Sequence, residues 1–90
     1  MKLCVEIEKT FPVIRKQFSQ ENFEAFFACE DADLYDFHHT MGPWIENRLL
    51  KEQGIVYQLF KASGITERNA MSFFILRLYH LYIRGRENGL

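Results

Sequence analysis

The stretch AMSFFILRLYHLYI, residues Ala70–Ile83, decides the fold of this chain. It is apolar on almost every side at helical spacing, and only Ser72, Arg77 and His80 interrupt it. A helix with this pattern is either buried on most sides or spans a membrane. A span needs about 20 apolar residues, and this stretch is shorter and contains an arginine and a histidine. We therefore predict that residues 67–84 form the central helix of a bundle and that the chain does not enter a membrane.

Length and composition set the size of the bundle. The chain has 90 residues, of which 48% are hydrophobic and 16% aromatic, including nine Phe. A chain of this length buries one modest core, and the aromatic content argues against disorder. We therefore expect one helical domain over residues 1–90, with a frayed tail at residues 85–90.

Helical periodicity begins at the N-terminus. Five apolar residues follow one another at spacings of four, four, three and four: Leu3, Ile7, Phe11, Ile14 and Phe18. This spacing places them on one face of a helix. Pro12 interrupts the face, because proline removes a backbone hydrogen bond inside a helix. The pattern predicts a helix that kinks near Thr10, or two closely stacked helices, and Ser19 is the predicted N-cap of the next helix.

Glycine and proline mark the later boundaries. Gly42 followed by Pro43 is typical of a helix end and the first residue of a new helix. Gly64 marks the end of another helix, and Thr66 is the predicted cap of the terminal helix. No segment alternates with period two, so we predict no sheet. The predicted fold is an all-α bundle of five or six helices.

Charge is distributed very unevenly along the chain. Between Gln17 and Asn47 there is no Lys or Arg, and the same window contains seven acidic residues. All 11 basic residues lie outside this window together with five acids, so the net charge of −1 conceals a negative middle and positive flanks. A surface with one sign of charge steers and selects a partner of the opposite sign.

The acidic middle has two interpretations. It is either a solvated face or a docking face for a basic protein. In the second case the binding residues are Glu30, Asp31, Asp33, Tyr35 and Asp36. Tyr35 is then an aromatic anchor of the kind enriched at interface centres. Direct binding of nucleic acid through this face is disfavoured, because phosphate contacts require Lys and Arg.

The histidines do not form a recognisable metal site. His38 and His39 are adjacent, so on a helix they point about 100° apart and cannot share one metal ion. Asp36 and His39 could share a face, but no third ligand occurs at a recognised spacing. We therefore expect neither a metal nor another cofactor.

A polar stripe runs along the terminal helix through Arg77, His80 and Arg84. This spacing predicts the solvent-exposed edge of a mostly buried helix. In the alternative interpretation, Arg77 reaches an acid such as Glu46 or Asp36 and holds the bundle together.

Motifs of enzymes and DNA-binding proteins are not evident. The chain has no nucleophile elbow and no glycine-rich phosphate loop, so we expect no enzymatic activity. Residues 58–76 have the helix, glycine turn and helix order of a DNA-binding motif, but the recognition helix would have to expose Phe73 and Phe74. Cys4 and Cys29 have no metal spacing and are expected to be reduced, and the acidic N-terminus differs from a signal peptide. These features favour a cytoplasmic protein.

A set of uncommon residues carries a family resemblance. The residues are His38 or His39, Gly42, Trp44-Ile45, Asn47, Gly64-Ile65, Met71-Ser72 and Tyr79-His80. Over residues 36–85 the chain resembles a bacterial family of small domains of unknown function with the pattern His, Gly, Trp-Ile-Arg-Asn, Gly-Ile and Met-Ser. It departs from the pattern at Glu46, where the family has arginine. The resemblance implies a helical fold and a bacterial or phage setting, and it supplies no reaction.

Three hypotheses follow for the function. The leading one is a small non-enzymatic protein that docks a basic partner, such as a toxin or a nucleic-acid-handling enzyme, as an immunity protein or inhibitor does. The second is a homodimeric structural module in which Phe residues pack across a two-fold axis. The third is a metal-binding or enzymatic protein that uses His38, His39 and His80.

Overall fold

The computed structural model describes residues 2–87, and it describes the side chains of residues 2–85. The helices are α1 (Lys2–Glu8), α2 (Phe11–Arg15), α3 (Gln20–Ala28), α4 (Leu34–Leu49), α5 (Ile55–Ala62) and α6 (Arg68–Glu87), with a 3-10 turn at Asp31–Asp33 between α3 and α4. Residues 2–87 contain no strand, which confirms the predicted all-α fold. Helix α6 continues through residues 85–87, and the last three residues of the predicted frayed tail lie outside the described residues.

Helix α6 is the element against which α3, α4 and α5 pack, while α1 packs on α5. Its buried residues recur in pairs one turn apart: Met71, Ser72, Ile75, Leu76, Tyr79 and His80. The apolar sequence of α6 is therefore buried along one broad face, and Phe74 and Leu81 remain exposed. None of the helices in residues 2–87 has the length and apolarity required to cross a membrane.

The N-terminal stripe is divided between α1, α2 and the turn that follows α2, where Phe18 lies. All five residues of the stripe are buried. The chain leaves the first helix at Lys9–Thr10, where the Thr10 hydroxyl donates a 2.6 Å hydrogen bond to the Ile7 carbonyl. Pro12 lies in the first turn of α2, where its missing N–H costs no helical hydrogen bond. The structure thus contains the stacked pair of helices rather than a single kinked helix.

Two of the predicted helix ends are confirmed and one is wrong. Ser19 caps α3, and its hydroxyl accepts a 3.1 Å hydrogen bond from the backbone N–H of Asn22. Gly64 follows α5 with a φ of 94°, a conformation that favours glycine. Helix α6 begins at Arg68 rather than directly after Thr66, so Thr66 is not its cap.

The predicted helix boundary at Gly42-Pro43 is also wrong. Helix α4 continues through both residues as one 16-residue helix. Gly42 has no Cβ to clash with the proline ring, so it tolerates the helical conformation that other residues before proline avoid. Because Pro43 has no N–H, the His39 carbonyl one turn earlier lacks its helical donor. Pro43 and His39 are both exposed, so water can donate to this carbonyl instead. Packing of α4 along α6 outweighs the local signal.

Candidate functional site

The five predicted partner-binding residues lie together around the 3-10 turn and the first turn of α4. All five are exposed: Glu30, Asp31, Asp33, Tyr35 and Asp36. We call this surface the acidic face. Leu34, in the middle of the segment, is almost completely buried and anchors the turn in the core. Because Leu34 points inward, its neighbours are presented to solvent.

A capping box fixes the backbone of the acidic face. The Glu30 side chain accepts a hydrogen bond from the Asp33 backbone N–H, and the Glu30 N–H donates to Asp33 Oδ2 at 3.4 Å. Such reciprocal bonds satisfy backbone donors that would otherwise have no partner at the start of a helical segment. The carboxylates therefore project from an ordered turn.

Tyr35 is the exposed aromatic residue of the acidic face, with 68% of its surface accessible. One side of its ring stacks on Phe73 of α6, with centroids 4.8 Å apart and planes at 27°. Phe73 in turn meets the His38 ring edge to face, with centroids 5.2 Å apart. Stacking of this kind orients the Tyr35 ring while leaving its other side in water.

Two arginines of α6 border the acidic face. Arg77 Nη2 lies 3.8 Å from Asp31 Oδ2, and Arg84 donates a 3.2 Å hydrogen bond to the Cys29 carbonyl. In the alternative interpretation Arg77 reaches an acid such as Glu46 or Asp36; the acid that it reaches is Asp31, and both partners are exposed. An exposed ion pair of this length contributes about 0–1 kcal/mol, and Asp36 has no ion-pair partner among the described residues. The acidic face keeps a net negative charge.

Several motif residues meet at the contact between α4 and α6. His38, Gly42 and Glu46 follow one another at one-turn intervals along α4 and face Ser72 of α6. The Ser72 hydroxyl lies 2.8 Å from His38 Nε2, 3.0 Å from Glu46 Oε2 and 3.0 Å from the Asn69 carbonyl. Two motif residues, His38 and Ser72, thus form a polar cluster with Glu46, the position at which this chain departs from the family pattern, and the cluster joins two helices.

The proton count of this cluster assigns the roles of its members. Ser72 has one hydroxyl proton, and both the Glu46 carboxylate and the Asn69 carbonyl are acceptors. The Ser72 hydroxyl therefore donates its proton to the Glu46 and Asn69 oxygens. His38 Nε2–H in turn donates to the Ser72 oxygen. In a serine-hydrolase triad the acid orients the histidine, whereas Glu46 contacts the serine. Ser72 is also fully buried, so the cluster is suited to holding α4 on α6 rather than to attacking a substrate.

The motif residues that do not hydrogen-bond in this cluster either pack in the core or lie on the surface. A Cβ on Gly42 would lie 2.9 Å from His38 Nε2, which explains the glycine there. Met71 is fully buried and Trp44 is partly buried against the core. His39 and Asn47 are exposed. Gly64 is exposed as well, so the motif combines packing residues with three surface positions.

His80 is buried, so the prediction that it lies on a solvent-exposed edge is wrong. Its Nε2 lies 3.7 Å from Cys29 Sγ, and its ring meets Phe26 edge to face at 5.0 Å. Burial lowers the pKa of His80 below its ordinary value of 6.5, and Arg84 acts in the same direction. Burial and the Asp33 carboxylate raise the pKa of the Cys29 thiol. Both groups therefore favour their neutral forms, unlike a catalytic thiolate–imidazolium pair.

The three histidines do not converge on one site. His38 belongs to the cluster at Ser72, His80 packs near Cys29, and His39 faces solvent. Ser72 and His80 are eight residues apart on α6, which is about 12 Å along a helix axis. Among the described side chains, no three His, Cys, Asp or Glu residues are placed to hold a metal ion.

The sequence analysis missed a groove between α1, α2 and the C-terminal half of α6. Its main part has a volume of about 500 Å³ and is lined by Phe11, Pro12, Phe23 and Tyr79 with Glu8 and Arg15 at its edge. A smaller part of about 300 Å³ continues past Leu78 and Leu81. We call both parts together the aromatic groove. The sequence signal for this groove is the apolar C-terminal end of residues 70–83, where Leu81 stays exposed because α3, α4 and α5 do not cover it.

A comparison with family models gives one match. Residues 5–83 match a domain of unknown function, DUF6794. The chain belongs to the DUF6794 family. The match includes α2 to α5 and most of α6, and it extends N-terminally beyond the residues that carried the sequence resemblance. The DUF6794 description names no activity, and comparisons with curated proteins and with solved structures gave no match.

Proposed function

We propose that this DUF6794 protein is a non-enzymatic binding module that docks a basic protein through its acidic face. The observation that carries the proposal is the Tyr35 ring, which is 68% exposed between carboxylates and is oriented by Phe73. Tyrosine is enriched at the energetic centres of interfaces, because it supplies a large apolar surface at a low entropic cost.

The partner's chemistry follows from the charge. Carboxylates that project from an ordered turn attract Lys and Arg side chains, and an exposed ring beside them provides a surface for a cation–π contact. A toxin or a nucleic-acid-handling enzyme has such basic side chains at the site that binds phosphates. In this form the protein is an immunity protein or inhibitor in a bacterial or phage-infected cytoplasm.

Charge reversal on the acidic face tests the proposal. We would immobilise the wild-type protein and an Asp31→Lys, Asp36→Lys variant and capture proteins from the source cell at low and high salt. Asp33 is left unchanged because its carboxylate accepts from the Glu30 N–H. Glu52→Lys with Glu67→Lys is the matched control, since it makes the same charge change at exposed acids outside the acidic face.

The expected result is capture of a basic protein by the wild type and the control but not by the face variant. Salt should release that protein, because screening weakens attraction between exposed charges. With the purified partner, the association rate of the face variant should fall about tenfold or more. Equal capture by all three proteins would refute the proposal.

A further inference from the structure

The main part of the aromatic groove has the size and the walls of a small-molecule site. Its volume of about 500 Å³ lies within the range of about 300–1,000 Å³ that is usual for such sites. The rings of Phe11, Phe23 and Tyr79 line it, and aromatic walls favour a flat aromatic ligand. Small-molecule sites add a few polar groups that orient the ligand. The polar groups of the groove therefore indicate what it binds.

Tyr79 supplies a hydrogen-bond donor that has no acceptor in the fold. The residue is only 3% exposed, and its hydroxyl has no hydrogen-bond partner among the described residues. Among those residues, the polar atom that is sealed in the core without a partner is His80 Nδ1 rather than this hydroxyl. The Tyr79 hydroxyl therefore reaches the groove that its ring lines. Burial raises the pKa of Tyr79 above its ordinary value of 10, so the phenol keeps its proton at neutral pH and can donate it to a ligand.

Arg15 supplies further donors near this hydroxyl. Its guanidinium lies 4.0 Å from the Phe23 ring centroid. It also donates to the Phe18 carbonyl and, at 2.9 Å, to Gln20 Oε1. These contacts fix the guanidinium at the groove and use two of its five N–H groups. The charge of Arg15 acts on the Tyr79 hydroxyl, so both donors face one part of the groove, where a single carboxylate can accept from both.

Glu8 is the other charged residue among the described residues that line the groove. It forms no ion pair with Arg15 or with any other described residue. The groove thus has one positive and one negative group and no net charge. An anion would leave Glu8 unpaired, and a cation would leave Arg15 unpaired. A ligand that pairs with both groups carries a carboxylate and an ammonium.

From these contacts we propose that the aromatic groove binds a small aromatic zwitterion, that is, a free aromatic amino acid. The ring of the ligand packs between Phe11 and Phe23. Its carboxylate accepts hydrogen bonds from Arg15 and Tyr79, and its ammonium donates to Glu8. The groove shares no residue with the acidic face, so this site is additional to the docking of a basic protein.

Three ligands separate the charged groups from the ring. Phenylalanine should shift the backbone amide NMR signals of α2 and of the C-terminal half of α6 in the isotope-labelled protein, with saturation at or below millimolar concentration. Phenylpropionate lacks the ammonium, and phenylethylamine lacks the carboxylate. Each should bind at least about tenfold more weakly than phenylalanine, because one charge-assisted hydrogen bond is lost and one charged group of the groove stays unpaired.

Variants of the two charged residues should have opposite selectivity. Glu8→Gln should weaken the binding of phenylalanine and phenylethylamine at least about tenfold and spare phenylpropionate, which has no ammonium. Arg15→Gln should weaken the binding of phenylalanine and phenylpropionate and spare phenylethylamine. Because each variant keeps its affinity for one ligand, a loss of folding would not produce this pattern.

Tyr79→Phe removes the hydroxyl and keeps the ring. It should weaken the binding of the two ligands that have a carboxylate by about fivefold or more. Tyr57→Phe is the matched control, because it removes a hydroxyl from α5 outside the groove, and it should leave all three affinities unchanged.

Two results would overturn the inference. The absence of signal shifts with phenylalanine at millimolar concentration would remove the site. Equal affinity of the wild-type protein for all three ligands would show that the groove selects a ring and not a zwitterion. Neither result bears on the proposed function, since capture of a basic protein is tested with substitutions on the acidic face.

Discussion

At the scale of single residues, Gly42 is fixed by the imidazole of His38. A Cβ at this position would lie 2.9 Å from His38 Nε2. The ring cannot retreat without losing its 2.8 Å contact with Ser72. We therefore expect Gly42→Ala to lower the free energy of unfolding by about 1–3 kcal/mol, as overpacking does, although alanine normally favours a helix. Urea denaturation measures the change.

Gly85→Ala is the matched control. Gly85 also lies in a helix, and no described atom beyond its chain neighbours and the backbone of its own helix would come within 4 Å of the new Cβ. This substitution should be neutral or stabilise the protein by up to about 1 kcal/mol. In a His38→Ala background the clash disappears, and Gly42→Ala should then lose its cost. A cost that persists without His38 would contradict the explanation.

His80 links stability to pH. Its pKa in the folded protein lies below 6.5 because burial disfavours the charged imidazolium. Above pH 6.5 the ring is neutral in both folded and unfolded chains. As pH falls below 6.5 the unfolded chain takes up the proton first, so the stabilisation is lost from 6.5 down to the lowered pKa. We expect His80→Gln to reduce the loss of stability between neutral pH and about pH 5, measured by urea denaturation.

His39→Gln is the comparison for this experiment. His39 is exposed, so its removal should leave the pH dependence close to that of the wild type. Arg84, Asp31 and Cys29 surround His80 and remain in every variant, so they contribute equally. The same pH dependence in His80→Gln and wild-type protein would show that His80 is not responsible.

Residue-level expectations succeeded where the cause is local. The Ser19 cap depends on the next three residues, and the positive φ of Gly64 depends on the end of α5, so both were readable from sequence. The burial of His80 depends on α3 and Cys29, which are 51 or more positions away. Exposure of the acidic segment was expected from its charge, and its partner-binding role stays a prediction.

At the scale of elements, Pro43 interrupts the backbone hydrogen bonding of α4 at an exposed position. It removes one backbone donor from a helix that otherwise runs from Leu34 to Leu49. Pro43→Ala should therefore raise the free energy of unfolding by about 1–2 kcal/mol, because the regained helix propensity outweighs the greater freedom of the unfolded chain. Thermal and urea denaturation measure this gain.

Pro12→Ala tests whether position in the helix is the cause. Pro12 lies in the first turn of α2, where the N–H has no helical acceptor. Pro12→Ala should change the free energy of unfolding by less than about 0.5 kcal/mol in either direction. A gain at Pro12 as large as that at Pro43 would indicate a general effect of removing proline.

The faces of the helices could be predicted, but their mutual positions could not. The stripe that begins at Leu3 is buried as expected, since apolar spacing alone defines a face. The Gly42-Pro43 boundary failed because long-range packing on α6 outweighs a local preference. The aromatic groove was missed for a related reason, since it exists only where α1 and α2 meet α6.

At the scale of the whole molecule, the charge is polarised although the net charge is only −1. A concentrated negative surface binds an oppositely charged matrix through its local field. We expect the wild-type protein to bind an anion-exchange column at pH 7, and the Asp31→Lys, Asp36→Lys variant to pass through it.

The Glu52→Lys, Glu67→Lys variant has the same net charge as the face variant. It retains the acidic face, so it should elute later from the same column. Identical elution of the two variants would mean that net charge, rather than its arrangement, governs retention.

The position of α6 in the chain also affects its synthesis. Among the helices of residues 2–87, α6 is the last that the ribosome produces, and α3, α4 and α5 all pack against it. Until it emerges, the nascent polypeptide displays apolar faces that chaperones bind and that aggregate when unprotected. Folding therefore follows translation of the whole domain, and a stop codon upstream of Arg68 yields material for proteolysis rather than a smaller folded product.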